Sequence, residues 1–220
     1  DVIDGAVASS SVPGIFPSRR LGADNYVDGG CLQNIPLRAA VQLGAERIYT
    51  VIAVPIGQPH HELPLWVAEE LGYLSTQAEN LATPLPEGTT HTIIQPTIDV
   101  VGTFEVHPGL MSIDIDYGRL RAEEALADLD EGTLPIVTTG SDTITLLRDR
   151  AWHIEDVAIE GGQLTAAQLD ELRRAKAAVR SAVHARAALG FPPPPQAHTW
   201  WEGPEHHSQD LPDGFPPSFD

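Results

Sequence analysis

The stretch from Asn25 to Arg38, NYVDGGCLQNIPLR, constrains the fold of this chain most, because a strand, a reversal and a helix start follow one another in it. Tyr26 and Val27 favour a strand. The sequence Asp28-Gly29-Gly30 does not extend that strand, since glycine supplies the positive-φ freedom that a sharp reversal uses. The pattern therefore predicts a buried strand that ends in a tight turn at Asp28.

A helix is predicted directly after this turn. Asn34 can cap backbone groups, and Pro36 has the fixed φ that suits a first helical turn. Apolar residues then recur at helical spacing from Leu37 to Leu43, until Gly44 ends the helix. Asp28 is thus expected at the carboxyl end of a strand, the edge where open α/β sheets place their sites.

The segment from Arg47 to Pro55, RIYTVIAVP, predicts the type of sheet. A nearly unbroken run of β-branched and apolar residues is typical of a strand that is covered on both faces, as in a parallel sheet. The order strand, helix, strand predicts a right-handed crossover. The expected fold is therefore α/β, a three-layer sandwich with a mainly parallel sheet.

The remaining pattern is mostly helical. Helices are predicted over 65–81, 120–129 and 141–159, with a strand over 90–98 and a turn at DIDYGR, residues 114–119. Thr165 and Gln168 form a capping box that opens a further helix through Leu189.

Three regions are predicted along the chain. Residues 1–130 form the α/β part, and residues 131–190 form a helical extension. From residue 191 onward Pro, Gly and acidic residues dominate, which predicts a flexible tail without a core of its own.

Composition narrows the classes of function. With 220 residues, 42% of them hydrophobic, the chain can bury a real core. Its formal net charge of -18 argues against nucleic acid as a partner, because phosphates would be repelled. The single cysteine, Cys31, excludes an internal disulfide and fits a reducing compartment, so a cytoplasmic location is expected. The sequence contains no apolar run of about 18 residues that would suggest a membrane span.

Three strings together carry a family resemblance: ASSSVPGIFPS (residues 8–18), YVDGGCLQNIPL (26–37) and LGAERIYTV (43–51). The joint pattern, in which D-G-G-x-x-x-N-x-P follows a small-residue helix and P-G-x-F-P, resembles the carboxyl-terminal half of the patatin-like phospholipase domain. It is much more specific than a bare Asp-Gly-Gly.

The resemblance implies a serine acyl hydrolase that acts on lipid or other acyl esters through a Ser-Asp dyad without histidine. By motif match, Asp28 is the base that takes the serine proton, as a weak hydroxyl nucleophile requires. Gly29 and Gly30 shape the turn, and Asn34 and Pro36 support it. This chemistry implies no metal and no organic cofactor.

The chain departs from the family in one respect: it contains no G-x-S-x-G nucleophile segment. Three alternatives stay open. The nucleophile half precedes this segment, which we favour because the chain opens like the inside of a domain; or a second chain supplies it; or the protein is a non-catalytic remnant that serves as an interaction or regulatory module. Alone, the chain is expected to be inert as an esterase. Hydrolase and acyltransferase are not separable from the sequence.

The other chemically capable side chains are expected to be structural. The serines at 9–11 lack elbow glycines and suit helix packing or capping. Adjacent histidines beside a glutamate, at 60–62 and 205–207, are expected to be solvated loop residues rather than metal ligands. Cys31 is expected to pack near the turn. Trp200 and Trp201 are either chance aromatics in a tail or an anchor for peripheral contact with a lipid or protein surface.

Overall fold

The structure of the protein is a computed structural model, which describes residues 2–53, 55, 80–101, 106–127, 129–212 and 215. The chain forms two compact units. The first comprises Asp1–Thr50 and Ile56–Thr92, and the second comprises Val51–Pro55 and Ile93–Asp220.

Short elements make up the beginning of the chain. They are helix α1 (Val2–Ser9), strands β1 (Arg19–Leu21) and β2 (Asp24–Tyr26), a 3-10 turn (Gly29–Cys31), helix α2 (Leu37–Gln42), and strands β3 (Arg47–Val51) and β4 (Thr90–Ile94). Helix α2 ends as predicted, because Gly44 takes φ 82° there.

The strands form two separate pairs among the described residues. β1 and β2 are antiparallel, with Arg19 opposite Tyr26. β3 and β4 are parallel: the Thr90 N–H donates to the Glu46 carbonyl and the Ile52 N–H to the Ile94 carbonyl, both at 2.9 Å. The predicted mixture of helix and strand is thus confirmed, together with the strand at residue 90. Almost all of the helix predicted over 65–81 lies outside the described residues.

The strand before Asp28 is not the buried strand that the sequence predicts. β2 belongs to an exposed hairpin, and nearly half of the Tyr26 and Val27 surfaces is accessible. In the part of the chain that the structure describes, β2 pairs with β1, and the predicted crossover that would place it beside β3 is not found. The hairpin is possible because Gly22, at φ 65°, allows the reversal between the two strands.

β3 is covered on one face rather than two. Ile48 and Thr50 are buried, whereas Tyr49 is 55% and Val51 73% exposed. Alternate residues of a strand point to opposite faces, so this pattern defines one packed face and one accessible face.

The second unit is helical. Its elements are α3 (Pro108–Leu126), α4 (Thr133–Ile159), α5 (Ala166–Ala188) and the short α6 (Thr199–Glu202). One core cluster takes a buried side chain from each of them in turn: Leu120, Ile144, Val179, Val183, Ala197 and Trp200. Packing of these apolar faces stabilises the unit more than helix propensity does.

Helix α3 runs straight through the turn predicted at 114–119, so that prediction is wrong. Gly118 and the neighbouring polar residues suggested a break, but Ile113, Tyr117 and Leu120 share one face and are almost fully buried. The burial of that face outweighs the cost of about 1 kcal/mol for a glycine inside a helix.

Helix α4 begins at Thr133, eight residues before the predicted start, and ends at the predicted Ile159. The Asp130 carboxylate accepts the N–H groups of Gly132 and Thr133 at 2.9 Å each. These bonds satisfy two donors at the helix start, and the bonds with Thr133 hold the pKa of Asp130 below its ordinary value.

The capping box of α5 is confirmed. Thr165 Oγ1 accepts the Gln168 N–H at 3.2 Å, and Gln168 Oε1 accepts the Thr165 N–H at 2.9 Å. Gly190, at φ 93°, follows the end of the helix. The pattern S/T-x-x-Q predicts the start of this helix correctly because both hydrogen bonds join residues three apart in the sequence.

The segment after residue 190, which is predicted to be a flexible tail without a core of its own, packs in part against the helices. Phe191, Ala197 and Trp200 are buried, and Ala197 and Trp200 complete the core between α3, α4 and α5. Trp200 lies under the Arg148 guanidinium at 4.4 Å. Composition hides this packing because the partners are on distant helices. The predicted bounds at residues 130 and 190 stay predictions.

No helix among the described residues combines the length and the apolar character that crossing a membrane would require.

Candidate functional site

Asp28 stands directly after Val27, at the start of the 3-10 turn. It caps that turn: its Oδ1 accepts the Gly30 N–H at 2.7 Å, and its side chain is half-buried. The Asp28 N–H donates to the Ser11 carbonyl at 2.9 Å, which ties the residue to the end of α1. The carboxylate is therefore fixed at both its backbone and its side chain.

The two glycines of this turn differ in what they contribute to it. Neither Gly29 nor Gly30 has a positive φ. A Cβ atom on Gly30 would lie 3.0 Å from Asp28 Oδ1 and 3.5 Å from Asn34 Oδ1, whereas a Cβ atom on Gly29 would meet nothing within 4 Å. Gly30 therefore leaves room for the carboxylate, and Gly29 has no such role.

Asn34 and Pro36 border this turn. The Asn34 side chain is half-buried and faces Gly30, in a position to support the turn. Pro36 is the residue before helix α2, and no side-chain hydrogen bond caps that helix start, so the predicted capping by Asn34 is not observed at α2.

One oxygen of Asp28 is left for chemistry. Oδ1 is committed to the Gly30 amide, and no second hydrogen bond reaches the carboxylate from the part of the chain that the structure describes. A carboxylate that is held by one oxygen and open at the other can accept a proton from a hydroxyl within hydrogen-bond reach.

Cys31 is the neighbour of this carboxylate. Burial, and then the charge of Asp28, raise the pKa of the Cys31 thiol above its ordinary value. A thiol with a raised pKa carries little thiolate near neutral pH, so its environment does not favour nucleophilic attack. The packing role expected for Cys31 agrees with this environment.

The serines near Asp28 bond to their own helix. Ser10 Oγ donates to the Ala6 carbonyl at 3.0 Å and Ser11 Oγ to the Val7 carbonyl at 2.8 Å, and Ser11 is buried. Ser11 meets Asp28 through the backbone alone. Both hydroxyls therefore act as structural groups, as expected.

In the second cluster of histidines His206 is exposed, as expected, whereas Glu205 and His207 are buried, contrary to expectation. The side chains of Glu205 and His207 are 4% and 3% exposed, because both lie against buried charges of helices α4 and α5. The other pair, His60 and His61, lies outside the described residues. Within the described ranges, no group of three or more His, Cys, Asp or Glu side chains is arranged to hold a metal ion.

Sequence reasoning missed the charged residues inside the helical unit. Arg148 stands between Ile144 and Ala151 on one face of α4, and Lys176 stands between Leu172 and Val179 on one face of α5; all six are buried. A charged residue in the middle of an apolar helical face was the available signal, since buried charges require partners.

Residues 1–41 match the model of the family described as patatin-like phospholipase. The matched stretch contains Asp28, both glycines, Asn34 and Pro36, so the resemblance to the family is confirmed over that stretch, whereas its assignment to the carboxyl-terminal half of the domain stays a prediction. No curated protein and no solved structure matches the chain.

Proposed function

We propose that this chain supplies the aspartate base of a serine acyl hydrolase that acts on lipid or other carboxylic esters. Two observations support the proposal: residues 1–41 match the patatin-like phospholipase family, and the Asp28 carboxylate inside that stretch is held by one oxygen and open at the other. In this proposal the chain is the carboxyl-terminal part of a patatin-like domain, a three-layer α/β sandwich.

The chemistry assigns Asp28 one step. A serine from a G-x-S-x-G segment outside these residues attacks the ester carbonyl while Asp28 takes its proton, and an acyl-enzyme forms. The proton then passes to the leaving alcohol, and water releases the acid by the reverse steps. Neither a metal nor an organic cofactor takes part in these reaction steps. Transfer to an alcohol instead of water would make the same site an acyltransferase.

Several large apolar side chains of the first unit are exposed, which supports the proposal that a further part of the domain packs on this unit. Val2 is 88%, Leu32 87% and Leu43 88% exposed, and Tyr49 shares the accessible face of β3. Soluble proteins rarely expose many large apolar side chains without a partner surface. The serine-bearing part of the domain is the cover that we propose.

The test is the replacement Asp28→Asn in a polypeptide that includes the serine-bearing segment. Hydrolysis of a chromogenic fatty-acyl ester should fall about 100- to 10,000-fold, the usual contribution of a general base. Asp24→Asn is the matched control: Asp24 lies on the same hairpin, is exposed, and should leave activity unchanged. Full activity of Asp28→Asn with an intact fold would contradict the proposal.

A second candidate is a non-catalytic module. The observation that favours it is the helical unit, whose buried clusters among the described residues take their side chains from residues 93–220. In that case a polypeptide with the upstream segment would show no esterase activity and no labelling by a fluorophosphonate, while the helical unit would still bind a partner.

A further inference from the structure

An apolar groove of about 380 Å³ lies between the ends of strands β3 and β4 and one face of helix α3. We call it the strand-end groove. Its lining residues all belong to the second unit. Most of its walls are aliphatic, with side chains from the strand ends, from the residues that follow them and from the helix: Val51, Ile52, Ala53, Ile94, Pro96 and Ile115. This volume is in the range of small-molecule sites, about 300–1,000 Å³.

Hydrogen bonds fix the walls of the strand-end groove. The parallel pairing of β3 with β4 joins the two strand ends. Arg121 Nε of α3 donates to the Gln95 carbonyl at 2.9 Å, just after β4. The Thr97 N–H donates to Tyr117 Oη, also of α3, at 3.0 Å. The chain that follows β4 is therefore attached to the helix at two points, and the groove between them has a defined shape.

Gly118 lies in the middle of α3 and lines the groove. A Cβ atom on this residue would meet nothing within 4 Å. A glycine inside a helix costs about 1 kcal/mol relative to alanine, and no close packing requires it here. Its effect is to leave the helix backbone open to the close approach of a ligand, which is one of the recurrent uses of glycine.

Arg119 adds a positive charge on the accessible side of the groove. Its side chain is 58% exposed, and its ion pair with Asp116 is long, at 3.5 Å. Asp116 has a closer partner in Arg148, at 2.9 Å. Since a guanidinium has five N–H donors, Arg119 retains donors for a further anion. Arg121 also lines the groove, but it is engaged by a backbone carbonyl and two side chains.

Asp114 is the one carboxylate in the lining of the groove, and its charge opposes an anion. Asp114 and Arg119 are five residues apart in α3, so their side chains leave the helix about 140° apart around its axis. An anionic group is therefore expected on the Arg119 side of the groove, away from Asp114.

We propose that the strand-end groove binds a long-chain carboxylate, with the alkyl chain along the aliphatic walls and Gly118 and the carboxylate on the Arg119 guanidinium. Burial of the chain removes apolar surface from water. The planar fork of guanidinium donors matches the two oxygens of a carboxylate. Because the second unit alone lines the groove, the binding requires neither Asp28 nor a serine, and it can be tested separately from ester hydrolysis.

The test is isothermal titration calorimetry of octanoate, decanoate and dodecanoate with the polypeptide that includes the upstream segment. We expect the affinity to rise about two- to fourfold for each added methylene, because each one buries further apolar surface. Dodecanol should bind about three- to tenfold more weakly than dodecanoate, since it lacks the charge that pairs with Arg119. Absence of dodecanoate binding would overturn the proposal, as would tighter binding of dodecylammonium than of dodecanoate.

Gly118→Leu places a side chain in the groove and should lower the affinity for dodecanoate at least about tenfold. Gly140→Leu is the matched control. Gly140 lies in α4 outside the groove lining, and a Cβ atom there also meets nothing within 4 Å. Circular dichroism verifies that both variants fold. Unchanged dodecanoate binding in Gly118→Leu, or an equal loss in Gly140→Leu, would place the ligand elsewhere and overturn the proposal.

Two charge variants test the orientation of the ligand independently of Gly118. Arg119→Gln should lower the affinity for dodecanoate about three- to tenfold and leave that for dodecanol unchanged. Asp114→Asn should raise the affinity for dodecanoate, since it removes a like charge. An equal effect of Arg119→Gln on both ligands, or a loss of dodecanoate binding in Asp114→Asn, would contradict the assignment of the carboxylate to Arg119.

Discussion

At the scale of single residues, the turn at Asp28 is defined by close approach rather than by unusual backbone angles. A Cβ atom on Gly30 would press on the Asp28 carboxylate, whereas a Cβ atom on Gly29 would meet nothing within 4 Å. Two adjacent glycines that look equivalent in the sequence are therefore expected to differ in their effect on activity.

Gly30→Ala should displace Asp28 Oδ1 by a few tenths of an ångström and lower ester hydrolysis about tenfold, because catalysis is sensitive to small misplacements of the base. Gly29→Ala is the matched control and should retain activity. Both variants are measured by kcat on a chromogenic ester in a polypeptide with the serine-bearing segment. Equal effects of the two replacements would argue against a positioning role for Gly30.

At the scale of elements, helix α3 contains a second pair of contrasting glycines. A Cβ atom on Gly109 would lie 1.8 Å from the His206 carbonyl oxygen and 2.2 Å from Trp152 Nε1, so the backbone at His206 passes directly against this helix. Gly118, in the same helix, has nothing within 4 Å of a Cβ atom.

Gly109→Ala should therefore destabilise the helical unit by about 1–3 kcal/mol through overpacking. Gly118→Ala should stabilise it by about 0.5–1 kcal/mol, since alanine is the better helix former. Urea unfolding that is followed by circular dichroism measures both. An unchanged stability of Gly109→Ala would mean that the backbone at His206 does not pack against α3 as the structure shows.

Sequence reasoning worked for elements whose signals are local. The Thr165 capping box, the ends of α2 and α5 at Gly44 and Gly190, and strand β4 follow from contacts within a few residues. It failed where distant contacts decide. Tyr117, next to Gly118 in α3, is buried and hydrogen-bonded to Thr97 and Asp142, and these contacts stabilise the helix at that point. No local sequence pattern reveals them.

At the scale of the whole molecule, the two units differ in how much of their structure a sequence motif predicts. The first contains the stretch that matches a family, and Asp28 was found from that pattern alone. The second contains charge networks that no motif announces, because Arg148 and Glu205 are 57 residues apart in sequence. The sequence predicts Asp28 as the candidate carboxylate, but it does not predict the geometry that leaves one of its oxygens without a hydrogen bond from the described residues.

The central claim is that Asp28 activates a serine that lies outside these residues. The most direct measurement is the rate and site of labelling by a fluorophosphonate, in wild type and in Asp28→Asn, on a polypeptide that includes the upstream segment. We predict labelling at the serine of a G-x-S-x-G segment, with a rate about 100-fold or more lower in Asp28→Asn. Labelling at Ser9, Ser10 or Ser11, or an unchanged rate in Asp28→Asn, would contradict the claim.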